Sequence, residues 1–205
     1  AEIGNNSNIT VSELAGRSNV ISRLKELNIQ NNFDENDIKN LTKIIKEKEN
    51  NGFSYEVASA SLELLLKKEK KLIKSPFNLI DYDVRLQGSE NLKNNQCTAS
   101  INLSVNDTQI EKKSIGNGPV AALDKALREA LLKFYPSLDK VKLTDYKVRV
   151  VNESEATESI VRVSIESADD KEVWTTVGAS SNIIEASWMA LSDSMEWWLI
   201  KNIID

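Results

Sequence analysis

Two spacings of apolar residues divide the chain. Up to residue 75 they fall three and four apart, the period of helices that bury one face. Beyond it, runs that alternate apolar with polar residues, as half-buried strands do, lead twice into a further helix-spaced stretch. In the first part, an asparagine-rich turn at 4–8 precedes a predicted short strand, Ile9-Thr10-Val11. Ser18 or Asn19 is placed to cap a short helix with the stripe Val20, Ile21, Leu24 and Leu27. After a break at 28–32, Asp34 caps a second helix in an acidic version of the capping box with Asp37. Its stripe is Ile38, Leu41, Ile44 and Ile45, and Asn50-Asn51-Gly52 ends it through a left-handed C-cap. A third helix is expected from Ser54, carrying Val57, Ala58, Leu62, Leu65 and Leu66 toward a partner. The lysine-rich run 67–74 that closes it reads as a solvated helix end rather than a basic binding patch. Three amphipathic helices with little core in common predict a connector resting on a neighbouring domain.

The second part repeats itself. Residues 81–86, DYDVRL, return as DYKVRV at 145–150, an offset of 64 with four of six residues identical. The alternating triplets Ala99, Ile101, Leu103 and Val161, Val163, Ile165 match at an offset of 62, as do Gly116 and Gly178. The following helices match at 64, so the second copy is expected to have a shorter first loop and a longer turn before its helix. Asn106-Asp107 and Asp169-Asp170 read as hairpin turns rather than cation ligands. The helix stripes are Val120, Leu123, Leu127, Leu131, Phe134 and Ile184, Trp188, Leu191, Met195, Trp198. Trp197 and Trp198 lie about 100° apart on a helix, which predicts one in the core and the other at an interface. The fold class is therefore α+β: a helical linker followed by a duplicated βββα domain with pseudo-twofold symmetry. One helix on three strands buries little, so the two units are expected side by side, their opposite sheet faces open to a second molecule.

Composition narrows the function by exclusion. The 205 residues carry a net charge of −5, against the basic stripe of a nucleic-acid surface. No apolar run nears a membrane span, and the first residues lack the pattern of a signal peptide. With no histidine, histidine-dependent nucleophilic mechanisms are excluded and the commonest transition-metal ligand is missing. A lone cysteine, Cys97, allows no internal disulfide, and a cytoplasmic location is the simpler expectation. The start at Ala1 rather than methionine suggests a piece of a longer polypeptide.

The candidate chemistry is at the first turn into a helix, Gly116-Asn117-Gly118-Pro119. Glycines permit positive φ and close approach of a ligand, and proline fits the first helical position. The free N–H groups beyond, with the helix dipole, favour an anion such as a carboxylate. Val120, Ala121 and Ala122 leave room for a modest aliphatic group. The same turn serves equally as a ligand-free strand-to-helix connection, and it is neither a P-loop nor a dinucleotide fingerprint.

GNGPVAALDKAL (116–127), YPSLDKVKLTDYKVRV (135–150) and WTTVGASSNIIEASWMALSDS (174–194) resemble the regulatory-domain motifs of the 2-isopropylmalate synthase and citramalate synthase family. SELAGRSNV (12–20) resembles the start of its linker subdomains, and the combined motifs are most similar to the citramalate synthase branch. The resemblance implies helical linker subdomains at 1–75 and a regulatory, dimerising domain at 76–205, with repeats at 76–135 and 136–205. It implies a parent acyltransferase that condenses acetyl-CoA with pyruvate to (R)-citramalate for isoleucine synthesis. The parent's catalytic TIM barrel, with its divalent metal, would lie outside this chain, which would be inactive alone and need no cofactor. The implied partners are a second copy, the parent's barrel and an isoleucine effector, with neither nucleic acid nor membrane. The effector residues carried over are Gly116, Asn117, Gly118, Pro119, Val120 and Ala121, with Ser181, Asn182 and Ile183 at the second turn. A leucine-binding domain of isopropylmalate synthase, or a dimerisation module without ligand, are the alternatives.

Overall fold

The computed structural model describes residues 6–88, 96–151 and 159–204. Helix α1 spans Asn6–Glu26, α2 Glu35–Asn50 and α3 Ser59–Glu69. The expected strand at 9–11 is part of α1 instead, and the helix runs through Ser18 and Asn19 rather than starting there. Residues 4 and 5 of the predicted turn lie outside the described residues. Asp34 caps α2 as expected: its carboxylate accepts from the Asp37 N–H at 2.8 Å, while Asp37 accepts from the Asp34 N–H at 2.9 Å. Gly52 follows that helix at φ +96°, where a side chain would be strained. The third helix begins at Ser59, later than expected, and Val57 stands 60% exposed in the turn before it. These three helices, expected from sequence to be a linker, share a small core of their own, Val20, Leu24, Ile38, Leu41 and Leu66.

Two antiparallel three-stranded sheets follow, each with one helix. Strands β1 (Asn78–Gln87), β2 (Gln96–Val105) and β3 (Thr108–Gly116) precede α4 (Pro119–Leu131). Strands β4 (Lys142–Val150), β5 (Val161–Ala168) and β6 (Val173–Ser180) precede α5 (Ile183–Leu199). The sheet orders are β1-β2-β3 and β4-β5-β6. The register corrects the expected alignment of the repeats. Tyr82 pairs with Ile101 as Tyr146 pairs with Ile165, and Ile101 pairs with Lys112 as Ile165 pairs with Thr176. The offset is 64 throughout, including the bulges after Leu79 and Leu143 and the helix starts at Pro119 and Ile183. Gly116 therefore corresponds to Ser180, and Gly178 to Ser114; no loop is shortened and no turn lengthened.

Helices α4 and α5 pack together on the inner faces of the sheets, pooling one core. Leu123, Leu127 and Leu131 cover Ala99, Ile101 and Leu103, while Leu191 and Met195 join Val163 and Ile165. Trp188 of α5 crosses to the first repeat and stacks on Tyr82, ring centroids 5.9 Å apart. The β2–β3 hairpin turns through Asn106 (φ 48°) and Asp107 (φ 62°), the two left-handed residues of a type I′ turn. At the other hairpin the Asp169 carboxylate accepts from the N–H groups of Lys171 and Glu172, which is turn chemistry rather than cation binding. Of the two adjacent tryptophans, Trp198 serves the core of the second repeat and Trp197 the contact between α5 and α3. Trp198 donates to Asp169 at 2.7 Å, and Trp197 lies on Trp174 and donates to Glu63 of α3 at 2.8 Å. Both are buried within the chain.

The linker rests on the second repeat. Ser61 Oγ accepts from the N–H of Val177 on the open edge of β6 and donates to Asp193 of α5. Glu196, nearly buried, accepts from Lys68 and Ser75 at 2.7 Å each. Tyr55 and Ala58 bury Val177 on the outer face of the sheet, where Arg162 donates to the carbonyls of Gly52 and Phe53. Three of the lysines after Leu66 are thus held by carboxylates: Lys67 by Glu63, Lys68 by Glu196 and Lys70 by Asp37.

Desolvation pushes the Asp193 carboxyl up to about 6, opposed by Ser61 and Lys68, with Glu196 adding to the rise and Lys48 opposing it. Since the folded value lies above the unfolded one, the protonated form stabilises the fold below pH 4 and that stability is lost as pH rises through 6. The size is at most about 3 kcal/mol, and less because Asp193 keeps some contact with solvent. Urea midpoints are expected to be higher at pH 5 than at pH 7.5, and Asp193→Asn to flatten that slope.

Candidate functional site

The turns into α4 and α5 occupy equivalent places, with Gly116-Asn117-Gly118-Pro119 matched by Ser180-Ser181-Asn182-Ile183. Their chemistry differs at the N-cap. In α5 the Asn182 side chain accepts from the Ile184 N–H at 2.8 Å. Ser180 Oγ accepts from the Asn182 N–H at 3.0 Å and donates to Glu185 at 2.5 Å. This start is capped by its own residues and carries a carboxylate in its first turn. An added anion there would meet occupied donors and the Glu185 charge.

In α4 the N-cap is Gly118, which has no side chain to offer, and the first turn holds no acid. Pro119 sits at the first helical position, and Ala122 N–H is the first to bond back, to the Gly118 carbonyl at 3.0 Å. The N–H groups of Val120 and Ala121 therefore meet no capping side chain at the positive end of a helix of 13 residues. A Cβ built on Gly118 finds nothing within 4 Å. Val120 and Ala121 are half-buried and exposed, respectively.

Contrary to the expectation from sequence, the glycines of this turn do not act through positive φ: Gly118 is extended at φ −170°, and Gly52 is the glycine with positive φ among the described residues. Gly116 serves close approach, but of the chain to itself. A Cβ there would stand 2.4 Å from the Ala122 nitrogen, and one on Gly178 2.0 Å from the Ala186 carbonyl oxygen. Each helix therefore lies directly on its third strand.

The helices leave the edge strands half covered. Leu86, in the same cross-strand row as Cys97 and Gly116, is 65% exposed on the helix side of β1. Val150, in the row of Val161 and Ser180, is 57% exposed on β4. Each helix start thus shares a row with an uncovered apolar residue, a relation that the spacing along the sequence does not reveal. By contrast, the outer face of the first sheet presents Asp81, Asp83, Arg85 and Asn102.

No catalytic arrangement emerges among the described residues. Cys97 is buried, and burial pushes its thiol up, away from thiolate chemistry. No group of three or more potential metal ligands occurs among the described residues. No helix among the described residues is long and apolar enough to cross a membrane.

Comparison with known proteins places these features in context. Residues 56–199 match the LeuA allosteric (dimerisation) domain family. The chain is 46% identical over 200 residues to an (R)-citramalate synthase of Aquifex aeolicus, covering 98% of this chain and 38% of that protein. It is 42% identical over 200 residues to an (R)-citramalate synthase of Geobacter sulfurreducens, with the same coverage of 98% and 38%. Against an (R)-citramalate synthase of Synechocystis the identity is 37%, covering 96% of this chain and 37% of the relative. The chain thus spans well under half the length of these curated relatives.

Gly116→Ala and Gly178→Ala are each expected to cost about 1–3 kcal/mol, the usual effect of forcing atoms into a packed contact. Gly118→Ala, in open space at an extended φ, should change stability by less than about 0.5 kcal/mol. Chemical denaturation of the three variants distinguishes packing glycines from the open one.

Proposed function

The chain belongs to the LeuA allosteric (dimerisation) domain family, and on that premise we propose that it is the linker and regulatory region of a citramalate synthase, pairing with a second copy and binding isoleucine as feedback effector. The observation that carries the effector reading is the uncapped start of α4. Two N–H groups without a capping side chain, at the positive end of a helix dipole, suit the carboxylate of a free amino acid. Gly118 leaves the approach open, and the small side chains of Val120 and Ala121 leave space for an aliphatic group. Asn117 and Pro119 shape this turn. Ser181, Asn182 and Ile183 take a lesser part, because Asn182 already caps α5.

The second copy is assigned to the helix side of β1 and β4, where Leu86, Val148 and Val150 are exposed. Covering them would wall in the helix starts in the same act, so effector and dimer contact are coupled. Isoleucine would favour one arrangement of the dimer. Helix α3, bonded to β6 and α5 through Ser61, would hand that bias to the linker and on to a catalytic barrel in the parent chain. The parent's condensation of acetyl-CoA with pyruvate, its divalent metal and a cytoplasmic setting belong to the same proposal, which rests on the named relatives.

Calorimetry with isoleucine, leucine and valine tests the effector. Isoleucine is expected to bind most tightly; tighter leucine binding points to an isopropylmalate synthase domain, and no heat with any of them to a dimerisation module without ligand. Gly118→Asp, which gives α4 a cap of its own, should weaken isoleucine at least tenfold while leaving the fold as stable or more so. Leu86→Glu with Val150→Glu should shift the mass in light scattering from dimer to monomer.

A further inference from the structure

The chain holds two Asn-Gly pairs, Asn51-Gly52 and Asn117-Gly118. Such a pair can modify itself, because glycine offers its backbone nitrogen to the preceding side chain with no Cβ in the way. Whether it does depends on that nitrogen being free and the turn being able to bend. The fold treats the two pairs oppositely. The Gly52 nitrogen donates to the Glu49 carbonyl at 3.0 Å, and the Asn51 N–H donates to the Glu47 carbonyl at 3.1 Å. Gly52 is buried, and a Cβ on it would stand 2.5 Å from the Ile160 side chain. Any movement of that glycine meets packed atoms.

At Asn117-Gly118 each of these restraints is missing. Asn117 is exposed, and neither its side chain nor the Gly118 N–H has a hydrogen-bond partner among the described residues. The pair forms the bend between β3 and α4, outside both elements, and the space beside the Gly118 Cα is open.

We propose that Asn117 is a site of spontaneous deamidation, which gives the open start of α4 a carboxylate of its own. The Gly118 nitrogen attacks Asn117 Cγ to form a cyclic imide, and the side-chain nitrogen leaves as ammonia, taking the proton lost from Gly118. Water then adds to either imide carbonyl. Breaking the new Cγ–N bond leaves aspartate; breaking the original peptide bond leaves isoaspartate, with the main chain one carbon longer. Water is the only co-reactant. Either product places a negative charge beside the uncapped N–H groups of Val120 and Ala121, where the helix dipole favours it. An incoming carboxylate then meets like charge. This last step rests on the effector reading; the modification itself does not.

Peptide mapping by mass spectrometry follows both asparagines in the full chain, held at mildly alkaline pH in heavy-oxygen water. A second copy over the turn would slow the reaction, so the chain is kept dilute. Deamidation is expected to be about tenfold or more faster at Asn117 than at Asn51, where a hydrogen bond and a packed contact add to the barrier. Unfolded in urea, the two sites should react at similar rates. Gly118→Ala, which puts a Cβ beside the attacking nitrogen, should slow Asn117 about tenfold in the folded chain. Equal rates at the two sites in the folded chain, or a gap of the same size in urea, overturn the proposal. Aged chain and the Asn117→Asp variant are expected to bind isoleucine about tenfold more weakly than fresh chain. Equal binding removes the effect on the effector. No isoleucine binding by fresh chain, with Asn117 still reacting, removes the effector reading and leaves the modification standing.

Discussion

A helix about 10 Å across can cover two strands spaced about 4.8 Å apart, but not three. That mismatch governs this molecule. Helix α4 lies over β2 and β3 and only grazes β1; α5 does the same for β5 and β6. Each unit alone would leave a third of its apolar face wet. Setting the helices against one another and sending Trp188 across to Tyr82 recovers part of the loss. What is left, Leu86, Val148 and Val150, lies on the helix side of the edge strands. The sheets' outer faces are more polar and partly lie under α2 and α3, though Ile115 and Val173 stand exposed on them.

The two repeats share a backbone and divide the work through side chains at equivalent places. Where β6 has Val177, β3 has Lys113; where α5 has Trp197, the turn after α4 has Lys133. An apolar edge with a tryptophan beside it can receive the linker, and one lined with lysines resists added partners. Asp193 meets Ser61 of α3, whereas its counterpart Glu129 accepts from Ser114 of its own unit. The exchange of Asn182 for Gly118 at the N-cap completes the division: the second unit is closed at its helix start and bound to the linker, and the first is open at both.

Much of this was legible in the sequence. The Asp34 capping box, the Asn106-Asp107 turn, the duplication and the apolar stripes of α4 and α5 follow from local chemistry and periodicity. The offset of 62 failed for a physical reason: sliding a strand by two residues returns every side chain to the same face, so alternation cannot detect the slip. Matching Gly116 to Gly178 then hid the more informative match of Gly118 to Asn182. Ile9-Thr10-Val11 misled because β-branched residues favour strands only weakly against a longer helical context. The seam between α3 and α5 joins residues more than 120 positions apart, such as Ser61 and Asp193, and no local pattern announces it.

The central claim is that the open, uncapped start of α4, rather than the closed start of α5, receives the effector. Backbone amide spectra recorded with and without isoleucine test it most directly. Saturable shifts are expected at the N–H groups of Val120 and Ala121, with Ile184, already bonded to Asn182, little changed. Shifts centred on Ile184, or none at either helix start while isoleucine binds, would contradict it.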